Sequence, residues 1–413
     1  MDSPFSPGVV FSQEPAVPTP TELPTAVPLF VGYTDTPEES KAPTVYNIGT
    51  FADYQDQLGG PPPKDCCLAL YSTVRHYFDN GGGRCYVLSV GSYASVKQAT
   101  QEAIAQALQR DLVSALAQAS EATLLAIPDL VLLESGDENV LVDHWTRVWE
   151  KMLCVHRHQR GVFALLDAPS DPDVARQCLD RIAKAGLDEA LAHGAAYWPQ
   201  LVTNYEKDDG SWITVPPSGA LAAAIQCTDR ERGIWKAPAN VLLARVIRPA
   251  RPYQQAGVFG QEPKINLIRS FPARGVRIWG CRTLIQSPPW CYVQVRRTLS
   301  YIEAHLSEIG RFAVFESNNA ITWFKLKALA RAWLRQLWQA GGLFGAQEDE
   351  AFRLLLGLGE SMTEEDVQAG RLIMKVFLAA YYPAEFIELR LQLQTSESMM
   401  SPDMAPPHKS VMR

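Results

Sequence analysis

Two short apolar runs, TLLAIPD at residues 123–129 and GVFALLD at 161–167, flank VLVDHWTRVWEKMLCVHRH at 140–158. Each run has the length of a strand buried on both faces, and the stretch between them repeats its apolar positions at helical spacing. Strand, helix and strand in steps of this size predict parallel strands joined by a crossover helix. The pattern extends in both directions. AVPLFVGYT (26–34), RCYVLSV (84–90) and AAYWPQLV (195–202) have the same strand character. One long helical stretch, SVKQATQEAIAQALQRDLVSAL (95–116), precedes the first run, and DPDVARQCLDRIAKAG (171–186) follows the second. The expectation is an α/β layer with a largely parallel sheet.

Beyond about residue 250 the character shifts towards α+β. Residues 251–284 read as loop and strand, YVQVRRTLSYIEAHLSEI (292–309) and ITWFKLKALARAWLRQLWQAGGLFG (321–345) as helices, the second ended by Gly341-Gly342. TEEDVQAGRLIMKVFLAAYYPAEFIELRLQLQ (363–394) reads as a turn and two strands. The expected organisation is an extended N-terminal arm over 1–22, an N-terminal α/β domain over 23–250 and a C-terminal domain over 251–384. A terminal strand over 385–394 and a disordered tail over 395–413 complete it. Pro4, Pro7, Pro15, Pro18 and Pro20 keep the arm out of a helix.

The 413 residues are 47% hydrophobic and 20% charged, a globular composition, and the net charge of −7 argues against a general nucleic-acid or acidic-membrane binder. No apolar run is long enough to cross a bilayer, and the start lacks a cationic, then apolar, export signal. The eight cysteines suggest no disulfide framework and read as reduced thiols in a cytoplasmic protein.

Candidate chemistry is thin. DNGGGRC (79–85) leads into a strand with no Lys after it, so it reads as a tight turn rather than a phosphate loop. Cys154 and His158 stand one helical turn apart, but no second ligand pair appears, so neither a metal nor any other cofactor is expected. Asp129, Glu134, Asp137 and Glu138 read as a solvated polar loop. No Gly-x-Ser-x-Gly elbow is present. An α/β hydrolase remains the alternative of a different class, without a motif to support it.

Three features are sharper. FIELRLQLQ (386–394) alternates strictly, with Ile387, Leu389, Leu391 and Leu393 on one face. It is either an ordinary strand of its own domain or a strand added to a neighbouring chain's sheet, with Val9, Val10 and Phe11 of the arm as complement. In the helix over 322–339, Leu326, Leu329, Ala330, Trp333 and Leu337 share a face, while Lys327, Arg331 and Arg335 form a basic stripe. DRERGIWKAPAN (229–240) packs five charges and a Trp against a Pro-Ala turn.

PGVVF, FDNGGGRCYVLSV, VPPSGALAAAIQCTDRERGIWKAPAN, INLIRSFPARGVRIWGCRTL, WCYVQVRRTLSYIE, FAVFESNNAITWFKLK and PAEFIELRLQLQ occur in that order over nearly the whole chain. In this the sequence resembles the tail sheath proteins of contractile phage tails and injection systems. AFRLLLGLGESMTEEDV departs from the family by lacking a Cys-Asp pair. The resemblance implies a homo-oligomer of hexameric rings, stacked as a helical sheath around an inner tube protein. Baseplate and terminator or cap proteins are the further partners, with sheath paralogues possible at the ends, and no nucleic acid or membrane insertion. Terminal arms would add strands to neighbours, and contraction would drive the tube through an envelope without nucleotide hydrolysis in the sheath. Lys327, Arg331 and Arg335 would then meet acidic groups on the tube. The stretch 229–240 would be a joint, with Asp229, Arg230, Glu231, Arg232 and Lys236 in polar contacts and Trp235 and Pro238 fixing the turn.

Overall fold

The computed structural model describes residues 23–35, 44–63, 66–134, 137–207, 209–252, 265–381 and, as backbone, 386–394. In chain order it contains β1 (Pro28–Thr34), β2 (Thr44–Ile48), α1 (Phe51–Leu58), α2 (Leu70–Asp79) and β3 (Cys85–Ser92). Then come α3 (Tyr93–Val96), α4 (Gln101–Arg110), α5 (Leu112–Gln118), β4 (Leu124–Ala126), α6 (Glu138–Cys154), β5 (Phe163–Asp167), α7 (Pro172–Ala183) and β6 (Gly194–Trp198). β7 (Leu201–Glu206), β8 (Trp212–Val215), α8 (Ser218–Arg232), β9 (Val246–Pro249), β10 (Asn266–Phe271) and β11 (Gly275–Trp279) follow.

These strands build an eight-stranded sheet of order β11-β10-β6-β5-β4-β1-β3-β2. Its centre is parallel, as the opening pair of apolar runs requires: Leu124 to Ala126 register with Phe163 to Leu165. Only β2 and β11, at the edges, run antiparallel to their neighbours. One face is covered by α4 to α7, with Trp145 and Trp149 fully buried. The other holds Phe30, Tyr54 and Tyr77 beneath the alanine-rich α8. A separate antiparallel sheet, β8-β7-β9, branches off.

Several expectations change at this level. The stretch 95–116 is three helices, because Thr100 caps a new start by accepting from Ala103 N–H and Asp111 leaves helical geometry. AAYWPQLV divides at Pro199, which has no N–H for a ladder, and β7 leaves for the second sheet. The border expected at 250/251 falls inside the first layer, since β10 registers with β6. Asp129 is not solvated but fully buried. It accepts from the N–H groups of Tyr33 (2.7 Å), Ala69 (2.6 Å) and Leu70 (2.9 Å), capping α2, and burial raises its pKa to about 6. Asp167 is buried at the end of β5, where Oδ1 accepts from Ser218 N–H at 2.9 Å and burial pushes its pKa up to about 7. The glycine run at 81–83 is the expected turn; a Cβ on Gly82 would sit 2.5 Å from the Tyr77 ring.

The C-terminal part has its own core. It comprises α9 (Val293–Gly310), α10 (Ala320–Gln339), α11 (Glu348–Ala351), β12 (Phe352–Leu355), α12 (Glu364–Gln368), β13 (Arg371–Ala379) and β14 (Phe386–Gln394). Leu299, Ile302 and Leu306 of α9 meet Leu326, Ala330, Leu334 and Leu337 of α10 over Met374, Val376 and Leu378 of β13. The buried stripe of α10 therefore runs through Leu334, while Leu329 and Trp333, expected on the same face as Leu326, Ala330 and Leu337, are only half-buried. β12, β13 and β14 form a three-stranded antiparallel sheet, with β14 registered on β13 from Phe386↔Ala379 to Gln394↔Arg371. Val9, Val10, Phe11 and the expected tail over 395–413 lie outside the described residues.

The candidate functional site: a charged seam between two cores

The stretch 229–240 sits where the two cores meet. α8 ends at Gly233, whose φ of +92° turns the chain back and whose N–H returns to Asp229 O. A Cβ on Gly233 would lie 2.4 Å from the Trp235 ring, so glycine is what allows the indole to fold under the helix end. Trp235 is half-buried against the C-terminal core, and Pro238 is buried.

The charges divide sharply. The Asp229 and Arg297 side chains are each 3% exposed and form a two-pronged pair, Nη1 to Oδ1 at 3.0 Å and Nη2 to Oδ2 at 2.5 Å. Arg297 Nη2 also donates to Thr25 O at 2.8 Å, so one guanidinium ties α8, α9 and the start of the described chain. Lys236 lies over the Tyr381 ring at 4.8 Å. Arg230 and Arg232 are exposed; Arg230 has Glu231 at 3.7 Å, a weak surface pair. Of the residues named from the sequence, then, Asp229, Trp235, Lys236 and Pro238 make contacts inside the chain, while Arg230, Glu231 and Arg232 face outward.

Sequence reasoning missed Arg297 and its neighbour. Arg296 is also buried, with Nη2 3.2 Å from Glu303 Oε1 and its guanidinium 5.1 Å from the Trp290 ring centre. The available signal was two adjacent arginines in an otherwise apolar-faced helix. Nearby, His156 and His193 stack at 4.1 Å. Burial, then Arg296 and His156, hold His193 well below the usual histidine range.

The basic stripe of α10 exists but is occupied. Lys327 Nζ is 2.7 Å from Glu360 Oε2, and Arg331 and Arg335 share Glu348 at 2.6 and 2.5 Å. The Arg335 hydrogen bond and the Arg331 pair hold the Glu348 carboxyl below its usual range. The N-terminal end of the same helix exposes Ile321 (67%) and Phe324 (75%), close in sequence to Phe315 (90%). Among the described residues no cluster of three or more His, Cys, Asp or Glu is arranged to hold a metal, and no helix is long and apolar enough to cross a membrane.

What this architecture defines is a subunit whose distinctive features are joints between packed layers and strands at an open sheet edge. The comparisons name its family. The C-terminal domain of phage tail sheath proteins matches residues 286–394. A chain of the contracted anti-feeding prophage baseplate is 35% identical, with 94% of this chain and 97% of that one covered at a TM-score of 0.75. A chain of the contracted sheath complex of the extracellular contractile injection system PVC is 30% identical (92% and 96% covered, TM-score 0.66). The contracted helical sheath of the anti-feeding prophage is 29% identical (94% and 98%, TM-score 0.68). No curated protein sequence matches. The chain belongs to the contractile tail sheath family.

Proposed function

We propose that this chain is a sheath subunit of a contractile injection particle, assembling as stacked hexameric rings around an inner tube and contracting to drive the tube through a target envelope. The near full-length similarity to a chain of a contracted sheath complex carries this reading. The seam supports it: a subunit that moves between two packings in a lattice must travel as one body, and the buried Asp229–Arg297 pair ties the two cores together. The ladder at the C-terminus supports it as well. β14 pairs with β13 of its own chain. Releasing that pairing would let the same edge be completed by a neighbour's Ile387 to Leu393, with Val9 to Phe11 as a second donor. α10 is proposed to face the tube, presenting Lys327, Arg331 and Arg335. Assembly is proposed to take place in the cytoplasm. The 35% match to a baseplate chain favours a second reading, a sheath paralogue forming a ring next to the baseplate.

The test is electron microscopy of the concentrated chain, alone and co-expressed with a tube protein. Striated hollow tubes that vanish on deletion of residues 386–413 support the main-sheath reading. Single rings that never stack, with or without tube, support the baseplate-proximal one. A monomer under both conditions refutes both.

A further inference from the structure

A groove of about 730 Å³ runs along the seam between the end of α8 and the helices α9 and α10. Its wall is aromatic: Trp235, Tyr301, His305 and Trp333 line it, with Leu329 and Leu337 between them. His305 and Trp333 stack at 4.6 Å and 13°, and Tyr301 leans on His305 at 4.3 Å, which gives a rigid ribbed surface. The indole N–H groups of Trp235 and Trp333 donate to no partner among the described residues. Arg230 and Arg232 stand on its rim. Aromatic ribs with free indole donors suit an extended proline-rich segment, whose rings fit between the ribs and whose carbonyls accept from the indoles.

This chain carries such a segment next to the groove. Leu23 N–H lies 3.5 Å from His305 Nε2, so the first described residue stands beside the aromatic wall. Immediately before that point the sequence reads EPAVPTPTE, residues 14–22, with Pro15, Pro18 and Pro20. Three residues of extended chain reach about 10 Å, enough to bring Pro20 into the groove from Leu23. Residues 1–22 hold Asp2, Glu14 and Glu22 and no Lys or Arg, the complement of an arginine-bearing rim. We infer that residues 14–22 dock in this groove of their own chain as a polyproline helix. The docked segment would set the direction in which Val9 to Phe11 leave the subunit. This inference stands whether or not the chain forms a sheath.

The experiment is photocrosslinking of the full chain with p-benzoylphenylalanine in place of Val17, at a concentration where it is monomeric, followed by peptide mass spectrometry. The expected result is insertion within one chain into the peptides holding Trp235 or Trp333. Pro15→Ala with Pro18→Ala, which alters no residue of either core, should lower that yield about fivefold or more, as should Trp333→Ala. Crosslinked dimers would show that a neighbour's arm fills the groove and would overturn docking in the same chain. Insertion elsewhere, or none in a photoactive sample, would overturn it altogether.

Discussion

Removing one half of the Asp229–Arg297 pair should cost far more than removing both. Arg297→Met leaves the Asp229 carboxylate with no cation in a place where both side chains are 3% exposed. Breaking a buried pair in this way costs about 3–5 kcal/mol, because an uncompensated charge stays out of water. Asp229→Leu strands the guanidinium equally, although Thr25 O still accepts from it at 2.8 Å. The double variant removes both charges and fills the space with apolar atoms. It should cost only about 1–2 kcal/mol, chiefly the hydrogen bond lost by Thr25 O. The coupling energy, the two single costs less the double, is therefore about 4 kcal/mol or more. Urea unfolding followed by tryptophan fluorescence measures it. The first transition is the one to compare, since two cores need not unfold together. Single variants costing under about 1 kcal/mol, or a double variant equal to their sum, would refute the claim that this pair bolts the cores together.

The remaining predictions concern the turn, a buried carboxylate and the stripe. Gly233→Ala should destabilise through its positive φ and the clash with the indole; adding Trp235→Ala removes the clash, so the pair should be less than additive in thermal melts. Asp167 has its folded pKa raised to about 7 against about 3.9 unfolded, so the wild type gains stability as pH falls from 7 towards 4. Asp167→Asn should abolish that gain and be the more stable protein at pH 8 by a few kcal/mol; parallel stability curves from pH 8 to 5 would contradict this. Glu348→Gln with Glu360→Gln frees Lys327, Arg331 and Arg335. Melting should be unaffected, while co-sedimentation with an acidic tube should strengthen at low salt and become more salt-sensitive; unchanged co-sedimentation counts against a tube contact by these cations.

Much of the first layer was legible because its signals are local. A run such as GVFALLD is apolar at consecutive positions, and that suffices to place β5 in the middle of a parallel sheet. The alternation of FIELRLQLQ likewise marks β14 as a strand. Less visible were elements whose identity depends on the partner. α8 is rich in alanine with little polar contrast, so no amphipathic stripe announces it; it is helical because both its ends and its small residues fit beneath the sheet. β10 lies beyond a change in composition yet joins the first sheet, because Asn266 registers with Tyr197 although β7, β8, α8 and β9 stand between them in the chain.

The seam shows the same division. The residue types at 229–240 and their order determined that a charged turn stands there, and the separated stretches in the right order pointed to the sheath family. Which charges would matter was decided only by packing. Asp229 and Arg230 are adjacent in sequence and equally polar. One points into the seam, where low dielectric makes its partner obligatory, and the other into water, where a partner contributes little. The stripe on α10 likewise looked like three free cations until the tertiary fold brought Glu348 and Glu360 to it. Periodicity is set by the chain's own geometry, whereas burial and pairing are set by residues up to hundreds of positions away, and no local pattern records them.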